Sequence, residues 1–127
     1  MEAVITEKAR EKILQARMGV KALPKIVGFA FGDGGTDEEG NVKIPSITQT
    51  MLNSELLRKE IDKYELIDNL TCRYFCTLQE DELVGKYISE IALYDAEGDI
   101  IAVKNFLKKG KDPEWEMTFQ IDDSMKD

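Results

Sequence analysis

KYISEIALYDAEGDIIAVKNF, residues 86–106, is the stretch that decides the fold, because its pattern predicts a β-hairpin. Residues 95–98 at its centre have the composition of a type I turn that ends in a glycine able to form a G1 bulge. Pairing Asp95 with Asp99 fixes the strand register. That register predicts an aliphatic face with the pairs Leu93–Ile101 and Ile91–Val103, and a mixed face with the pairs Tyr94–Ile100, Glu90–Lys104 and Ile88–Phe106. The aliphatic face needs a core to cover it.

The composition fits one globular domain over residues 1–127, with 43% hydrophobic and 33% charged residues. No stretch approaches the ~18 consecutive apolar residues of a membrane helix. The N-terminal MEAVITEKAR lacks the basic start and apolar run of a secretory signal. We therefore expect a protein that stays in a cytoplasm unless it leaves as part of a particle. Its net charge of -8 argues against binding to a phosphate backbone and thus to nucleic acid.

The rest of the chain predicts two helices and further strands. Apolar residues at helical spacing, with Thr6 as cap, predict a helix over 6–18. Ser46 and Gln49 have the spacing of a capping box and predict a second helix, whose inner stripe is Ile47, Met51, Leu52 and Leu56. Strands are predicted over 25–31, 70–78 and 115–122. We expect an α+β, two-layer fold with about two helices packed on a mainly antiparallel sheet of about five strands.

We predict that the two cysteines do not form a disulfide with each other. Cys72 and Cys76 lie four residues apart in a predicted strand, which spans about 13 Å and is too long for a bridge. The chain has no histidine, so a zinc site built on them would need carboxylates. We expect two small buried apolar residues instead.

The glycine-rich segment 31–35, FGDGG, suggests a phosphate-binding loop, but the acids of 36–39 follow where a lysine and a hydroxyl residue are needed. Asp33, Asp37 and Glu39 could serve as calcium ligands, but the EF-hand spacing is absent. We expect a solvated, turn-rich connection over 32–43.

No catalytic, cofactor-binding or metal-binding residue is assigned. Without histidine, Ser/His and Cys/His nucleophile activation is excluded. The acidic runs 80–82 and 122–123 are expected to be solvated rather than an acid/base couple. Trp115 and Phe119 lie at alternate positions of the predicted strand, on the same face as Met117 and Ile121, and are expected in the core, a sugar-stacking platform being the alternative.

The order of these motifs resembles the N-terminal domain of bacteriophage tail-collar fibre proteins, and the likeness covers most of the chain. The residues that carry the resemblance are Gly28 to Gly35, Pro45-Ser46, Thr48 to Thr50, Leu52, Glu55, Arg58, Gly85, Ile88, Glu90 to Asp95, Gly98 and Ile101 to Val103. Members usually continue into a fibre shaft, whereas this chain ends soon after its last predicted strand. A truncated fibre and a stand-alone adaptor therefore both stay open.

The resemblance implies a non-enzymatic structural component of a phage or prophage-derived tail, located in the virion and assembled in the bacterial cytoplasm. It implies attachment of a fibre or adaptor to the baseplate or tail tip through protein–protein contacts. The implied partners are other tail and baseplate proteins and copies of the chain itself, often as a trimer. No cofactor, nucleic acid or membrane is implied. From the residues alone, the alternatives are a small-molecule or carbohydrate-binding module and a carboxylate-based metal hydrolase with Asp33 and Asp37 among its ligands.

Overall fold

Strands make up most of the structure. The computed structural model describes residues 3–126, which form one helix and eight strands. In chain order these are β1 (Val4–Ile5), α1 (Glu7–Arg17), β2 (Ile26–Gly32), β3 (Glu55–Glu60), β4 (Lys63–Asp68), β5 (Thr71–Leu78), β6 (Tyr87–Asp95), β7 (Ile100–Gly110) and β8 (Met117–Ser124).

The predicted α+β fold, with about two helices on a single sheet of about five strands, is wrong. The strands form two antiparallel sheets, one with the order β1-β7-β6-β2-β3 and the other with the order β4-β5-β8. One core joins the two sheets. Phe29, Phe31 and Leu93 of the five-stranded sheet pack with Phe119 and Ile121 of the three-stranded sheet. The covering layer of the core is therefore a second sheet, where a pair of helices was expected.

The central hairpin has the predicted turn but a different register beyond it. The Asp95 amide donates to the Asp99 carbonyl at 3.0 Å, and Gly98 has a φ of 87°. Tyr94 pairs with Ile100 as predicted. A β-bulge next to Tyr94 then shifts the strands, so the observed pairs are Leu93–Ala102, Ile91–Lys104 and Glu90–Asn105, and a second bulge gives Ile88–Lys109. A β-bulge adds a residue to one strand, and no pattern in the sequence of this hairpin predicts it.

The first predicted helix is confirmed. The Thr6 hydroxyl accepts a hydrogen bond from the Ala9 amide at 3.2 Å, which caps α1, and Met18 ends the helix. Gly19 follows with a φ of 74°, the left-handed conformation that favours glycine after a helix. No helix within residues 3–126 is long and apolar enough to cross a membrane.

The second predicted helix is wrong. The Gln49 amide group donates to the Met51 carbonyl at 2.8 Å and does not close a capping box with Ser46. Of the predicted inner stripe, Leu52 is buried, whereas Ile47 and Met51 are exposed. The fourth residue of the stripe, Leu56, lies in β3, which pairs with β2. Pairing with a distant strand therefore overrides the local helical spacing.

The other predicted strands correspond to β2, β5 and β8, whereas β1, β3 and β4 were not predicted. Phe119 is buried as predicted, but β8 begins only at Met117. Trp115 lies before the strand with 66% of its surface exposed, so its predicted place in the core is wrong.

Candidate assembly site

A buried carboxylate organises the base of the glycine-rich loop. Glu90 on β6 is fully buried, and its Oε1 accepts a hydrogen bond from the Asn53 amide at 2.8 Å. Its Oε2 accepts two more, from the amides of Gly34 and Ser54, each at 2.8 Å. The three backbone amides compensate a charge that would otherwise be costly to bury. Glu90 therefore holds both ends of the connection between β2 and β3.

The glycines of this loop allow close contact between backbones. A side chain at Gly35 would collide with the backbone carbonyl of Ser89, and the Gly35 amide donates to the Ser89 hydroxyl at 2.9 Å. A Cβ at Gly32 would lie 2.5 Å from the Ser54 carbonyl oxygen. The predicted solvated loop is thus wrong for its base, where Gly35 is buried, and correct for its exposed tip at 37–40.

The carboxylates of the loop do not come together. Asp37 Oδ1 accepts hydrogen bonds from the amides of Glu39 and Asn41, each at 2.9 Å, which forms a local turn. The bond from the Asn41 backbone is the main cause that holds the pKa of Asp37 below its usual value. Asp33 is exposed and precedes Gly34 and Gly35 in the sequence, whereas Asp37 follows them. The loop therefore offers a turn, and its acids are not arranged as a shared set of ligands.

A different set of acids converges around a lysine. Within residues 3–126, Asp95, Glu97 and Asp99 have carboxylate oxygens within 4.8 Å of one another. The ammonium of Lys12 lies among them, at 2.6, 3.0 and 2.6 Å respectively. Lys12 is only 6% exposed, although its neighbours Glu11 and Arg10 on α1 are exposed. Its ammonium occupies the position that a cation would take.

The charge of Lys12 is stabilised by these partners. Burial favours the neutral amine, but hydrogen bonds to Asp95, Asp99 and Glu97 outweigh it and raise the pKa of Lys12 above its ordinary value. The hydroxyl of Thr6 also donates to the Ile100 carbonyl at 2.8 Å. The two contacts fasten α1 to the end of the central hairpin.

The remaining predicted acids differ in their surroundings. Glu82 accepts a hydrogen bond from the Lys59 ammonium at 2.6 Å, and Asp122 accepts two from the guanidinium of Arg73 at 2.7 and 3.1 Å. Asp123 has a buried oxygen without a hydrogen-bond partner in the described chain, and burial raises its pKa. The expectation of simple solvated acids is wrong at these three positions.

The cysteines remain free thiols, as the spacing predicted. Cys76 is buried in the core, and its thiol donates to the Glu60 carbonyl at 3.4 Å. Burial raises the pKa of the Cys76 thiol to about 12. Cys72 is only partly buried, so the expected burial is confirmed for one cysteine and not for the other.

An open groove lies beside the core, between the start of β2 and the three-stranded sheet. Its volume is about 650 Å³, and Tyr64, Tyr74 and Asp123 line it together with apolar Leu23 and Ile26. The rings of Tyr64 and Tyr74 are 5.7 Å apart. Trp115 is not part of this groove. The lining also includes the charged residues Lys25 and Glu60, so the groove combines apolar and charged side chains.

The strand beside this groove, β4, is an uncovered edge. It is the terminal strand of its sheet, and within residues 3–126 it pairs with β5 alone. Tyr64 is 66% exposed, Leu66 75% and Ile67 43%. An edge strand with exposed apolar side chains is a common template for pairing with another chain. We therefore take β4 as the candidate assembly site.

Some of the residues that carried the family resemblance meet in two places. One is the network of Glu90 with the glycine-rich loop described above. In the other, the ring of Tyr94 packs on Gly28, where a Cβ would collide with it, and the guanidinium of Arg58 lies 4.8 Å from the same ring. Arg58 also donates to the Gly98 carbonyl of the hairpin turn at 2.9 Å. These residues fix loops to the five-stranded sheet.

The fold and the site define a protein built mainly of β-strands, in which buried polar groups hold the loops and the edge strand β4 exposes Tyr64, Leu66 and Ile67. The sequence model of the family described as phage tail-collar fibre protein, N-terminal, matches residues 1–123, and the chain therefore belongs to this family. No curated protein and no solved structure matches the chain. Family membership supports a structural role in a phage tail, with tail proteins as partners and a place in the virion tail.

Proposed function

We propose that the chain attaches a fibre or an adaptor to the baseplate or tail tip of a phage or prophage-derived particle. The family match over residues 1–123 carries this proposal. The exposed edge strand β4 supports it, because attachment needs a surface that the isolated chain leaves uncovered. The protein acts without catalysis, and it assembles in the bacterial cytoplasm before it enters the particle.

The proposed partners are proteins. Copies of the chain contact one another, in an oligomer that the family resemblance suggests is often a trimer, and the oligomer binds other tail or baseplate proteins. Nucleic acid and membranes are not partners in this proposal, in keeping with a net charge of -8.

Immunogold labelling of purified particles tests the location, and deletion of the gene tests the role. We expect the label at the tail end and expect deletion particles to lack a fibre and to adsorb poorly to the host. Particles without label, or deletion particles with intact fibres and normal adsorption, would contradict the proposal. Complementation with the unaltered gene is the control.

A single variant pair tests whether the uncovered edge takes part in attachment. Leu66→Glu places a charge on the exposed face of β4, and Leu107→Glu places one on β7, where the leucine is 64% exposed. We expect the first variant to enter particles poorly and the second to enter normally. Equal incorporation of the two variants would place the attachment surface elsewhere.

The groove supports a second candidate function, a small-molecule or carbohydrate-binding module. Tyr64 and Tyr74 offer aromatic surfaces, and the buried oxygen of Asp123 lacks a donor in the described chain. Titration with a panel of mono- and disaccharides, followed by NMR shifts of the tyrosine rings, tests this function. Saturable shifts that Tyr74→Ala abolishes would favour it, and unchanged spectra would remove it.

A further inference from the structure

We propose that the groove beside β4 receives a cationic side chain, lysine or arginine, from the tail protein to which this chain attaches. The carboxylate of Asp123 accepts its hydrogen bonds, and Tyr64 and Tyr74 flank its aliphatic stem. The inference rests on the proposed function for its partner, whereas the ligand chemistry rests on the groove alone. The site lies within one chain, so each copy of an oligomer, a trimer included, carries its own groove.

Asp123 places a carboxylate on the face of β8 that points to the core. Residues two apart on a strand share a face, so Asp123 follows Phe119 and Ile121, which are both buried in the core. One oxygen of Asp123 is buried and has no hydrogen-bond partner within residues 3–126. Within the same residues Asp123 takes part in no ion pair. Because a buried carboxylate is costly without compensation, this position indicates a ligand that supplies hydrogen-bond donors and positive charge.

The groove gives such a ligand a path to Asp123 between two aromatic rings. Its volume is about 650 Å³, and Asp123 is part of its lining together with Tyr64 and Tyr74. Burial above all raises the pKa of Tyr74, and the charge of Asp123 adds to the rise, so this ring and the carboxylate are neighbours. The two rings are 5.7 Å apart and tilted by 38°. Aromatic faces attract ammonium and guanidinium groups, and the apolar stem of lysine or arginine packs on such rings.

Charge decides between a cationic and a neutral ligand. A sugar hydroxyl can donate to Asp123, but it leaves the buried negative charge uncompensated. Among the described lining residues Glu60 is a second acid, and Lys25 is exposed and forms no ion pair within residues 3–126. The whole chain has a net charge of -8, which attracts a basic partner more than a second, equally acidic copy at this groove. These observations favour a basic segment of another tail protein.

NMR titration tests the ligand chemistry. The probes are Nα-acetyl-lysine N-methylamide and its arginine counterpart, which present one cationic side chain on an uncharged backbone. We expect saturable shifts of the Asp123 amide and of the ring signals of Tyr64 and Tyr74. The norleucine counterpart has an aliphatic stem without the ammonium, so it should bind at least about tenfold more weakly. Neutral sugars should bind no better than the norleucine probe.

A matched pair of variants tests the carboxylate. Asp123→Asn removes the charge but keeps the shape of the side chain, so it should weaken binding of the lysine probe by about tenfold or more. Asp122→Asn is the control, because it makes the same change one residue earlier, on the opposite face of β8, at an acid held by Arg73. It should leave the affinity unchanged. Lys25→Met should leave the affinity unchanged or raise it, because it removes a competing cation from the lining.

Several results would overturn the inference. The lysine and norleucine probes could bind equally, or no cationic probe could bind. The two aspartate variants could weaken binding equally while circular dichroism shows that both fold. A sugar could bind more tightly than the lysine probe, which would make the groove a carbohydrate site. Binding could require Lys25→Met, which would show that a lysine of the same chain fills the groove.

Two assembly measurements test the source of the cation. Asp123→Asn should enter particles less efficiently than Asp122→Asn, because it removes a contact with the neighbouring tail protein. Equal incorporation of the two variants would remove the contact from attachment. Sedimentation equilibrium of the purified chain should show the same self-association with and without Asp123→Asn. A weaker oligomer in that variant would make a second copy the occupant of the groove.

Particle labelling separates this inference from the proposed function. If the lysine probe binds as expected but particles lack the chain, the proposed function is wrong and the ligand chemistry stands. If the chain is found in particles but no cationic probe binds, the inference is wrong and the function stands.

Discussion

Replacement of Glu90 by glutamine tests whether one buried carboxylate holds the glycine-rich loop. Glutamine keeps the shape of the side chain but turns one acceptor oxygen into a donor. At least one of the three backbone amides that donate to Glu90 then loses its acceptor, which costs about 1–3 kcal/mol. The other bonds lose about 1 kcal/mol each because they are no longer charge-assisted. Removing a buried charge offsets part of this loss, so we expect Glu90→Gln to lower the free energy of unfolding by about 3 kcal/mol.

Urea unfolding measures the change in stability, and hydrogen exchange locates it. We expect faster exchange at the amides of Gly34, Asn53 and Ser54, with strand amides in the core changed less. Glu80→Gln is the matched control, because Glu80 is exposed and should change stability by less than about 0.5 kcal/mol. The reasoning would be refuted if the Glu90 variant were as stable as this control, or if exchange rose uniformly over the chain.

Two further substitutions and one thiol-labelling reaction test other contacts. Gly35→Ala should lower the free energy of unfolding by about 2 kcal/mol, measured in urea, because its methyl group collides with a neighbouring backbone carbonyl. Lys12→Met should lower it by about 3 kcal/mol at neutral pH by leaving buried acid without its cation. Since the pKa of Lys12 is raised in the folded state, this stabilisation is present below its ordinary value of 10.5 and is lost as pH rises towards the folded value, which unfolding at increasing pH measures. A thiol reagent should modify Cys72 before Cys76, because burial raises the pKa of the Cys76 thiol to about 12, and mass spectrometry locates the label.

Each of these experiments has a control and a contrary outcome. Gly110→Ala adds a methyl group at an ordinary 3.4 Å contact, and equal losses at the two glycines would contradict the collision. Lys8 lies in the same helix and pairs with Glu11 at 3.6 Å on the surface, so Lys8→Met should change stability little. A Lys12→Met deficit that persists unchanged at high pH would contradict the role of its charge. Equal labelling of the two thiols in the folded state would contradict the burial of one.

The features predicted correctly from sequence depend on neighbours along the chain. The hairpin turn at 95–98 needs only a glycine at its last position and the Asp95 carboxylate, which accepts local amides. The start of α1 needs only Thr6 and the amide of Ala9. Such contacts are encoded within a few residues and can therefore be read from one sequence.

The errors in the fold concern partners that are distant in sequence. Ser46 and Gln49 have the local spacing of a helix start, but β3 follows this segment and pairs with β2. The bulge beside Tyr94 likewise depends on how β6 fits between two neighbouring strands. Local patterns contain neither piece of information, so the helix and the register were wrong.

The buried charges of the site were also missed, because their partners lie far along the chain. Glu90 binds amides 36 to 56 residues away, and Lys12 binds Asp95 across 83 residues. One signal was visible, since Glu90 is an acid within the apolar run of β6, between Ile88 and Ile91. A charged residue at such a position indicates a buried partner, but it does not identify that partner.

The hydrogen bonds at the base of the glycine-rich loop form a clamp that separates the sheet from the loop tip. Asp33 and Ser54 are joined by a backbone hydrogen bond at 3.0 Å, and the Lys43 amide donates to the Gly35 carbonyl at 2.9 Å. Beyond these bonds the tip at 37–40 is exposed and closes on itself. Residues inserted at the tip would leave every bond of the clamp in place. Phages could therefore diversify this tip, and engineers could graft a tag or an epitope there, without altering the two packed sheets beneath it.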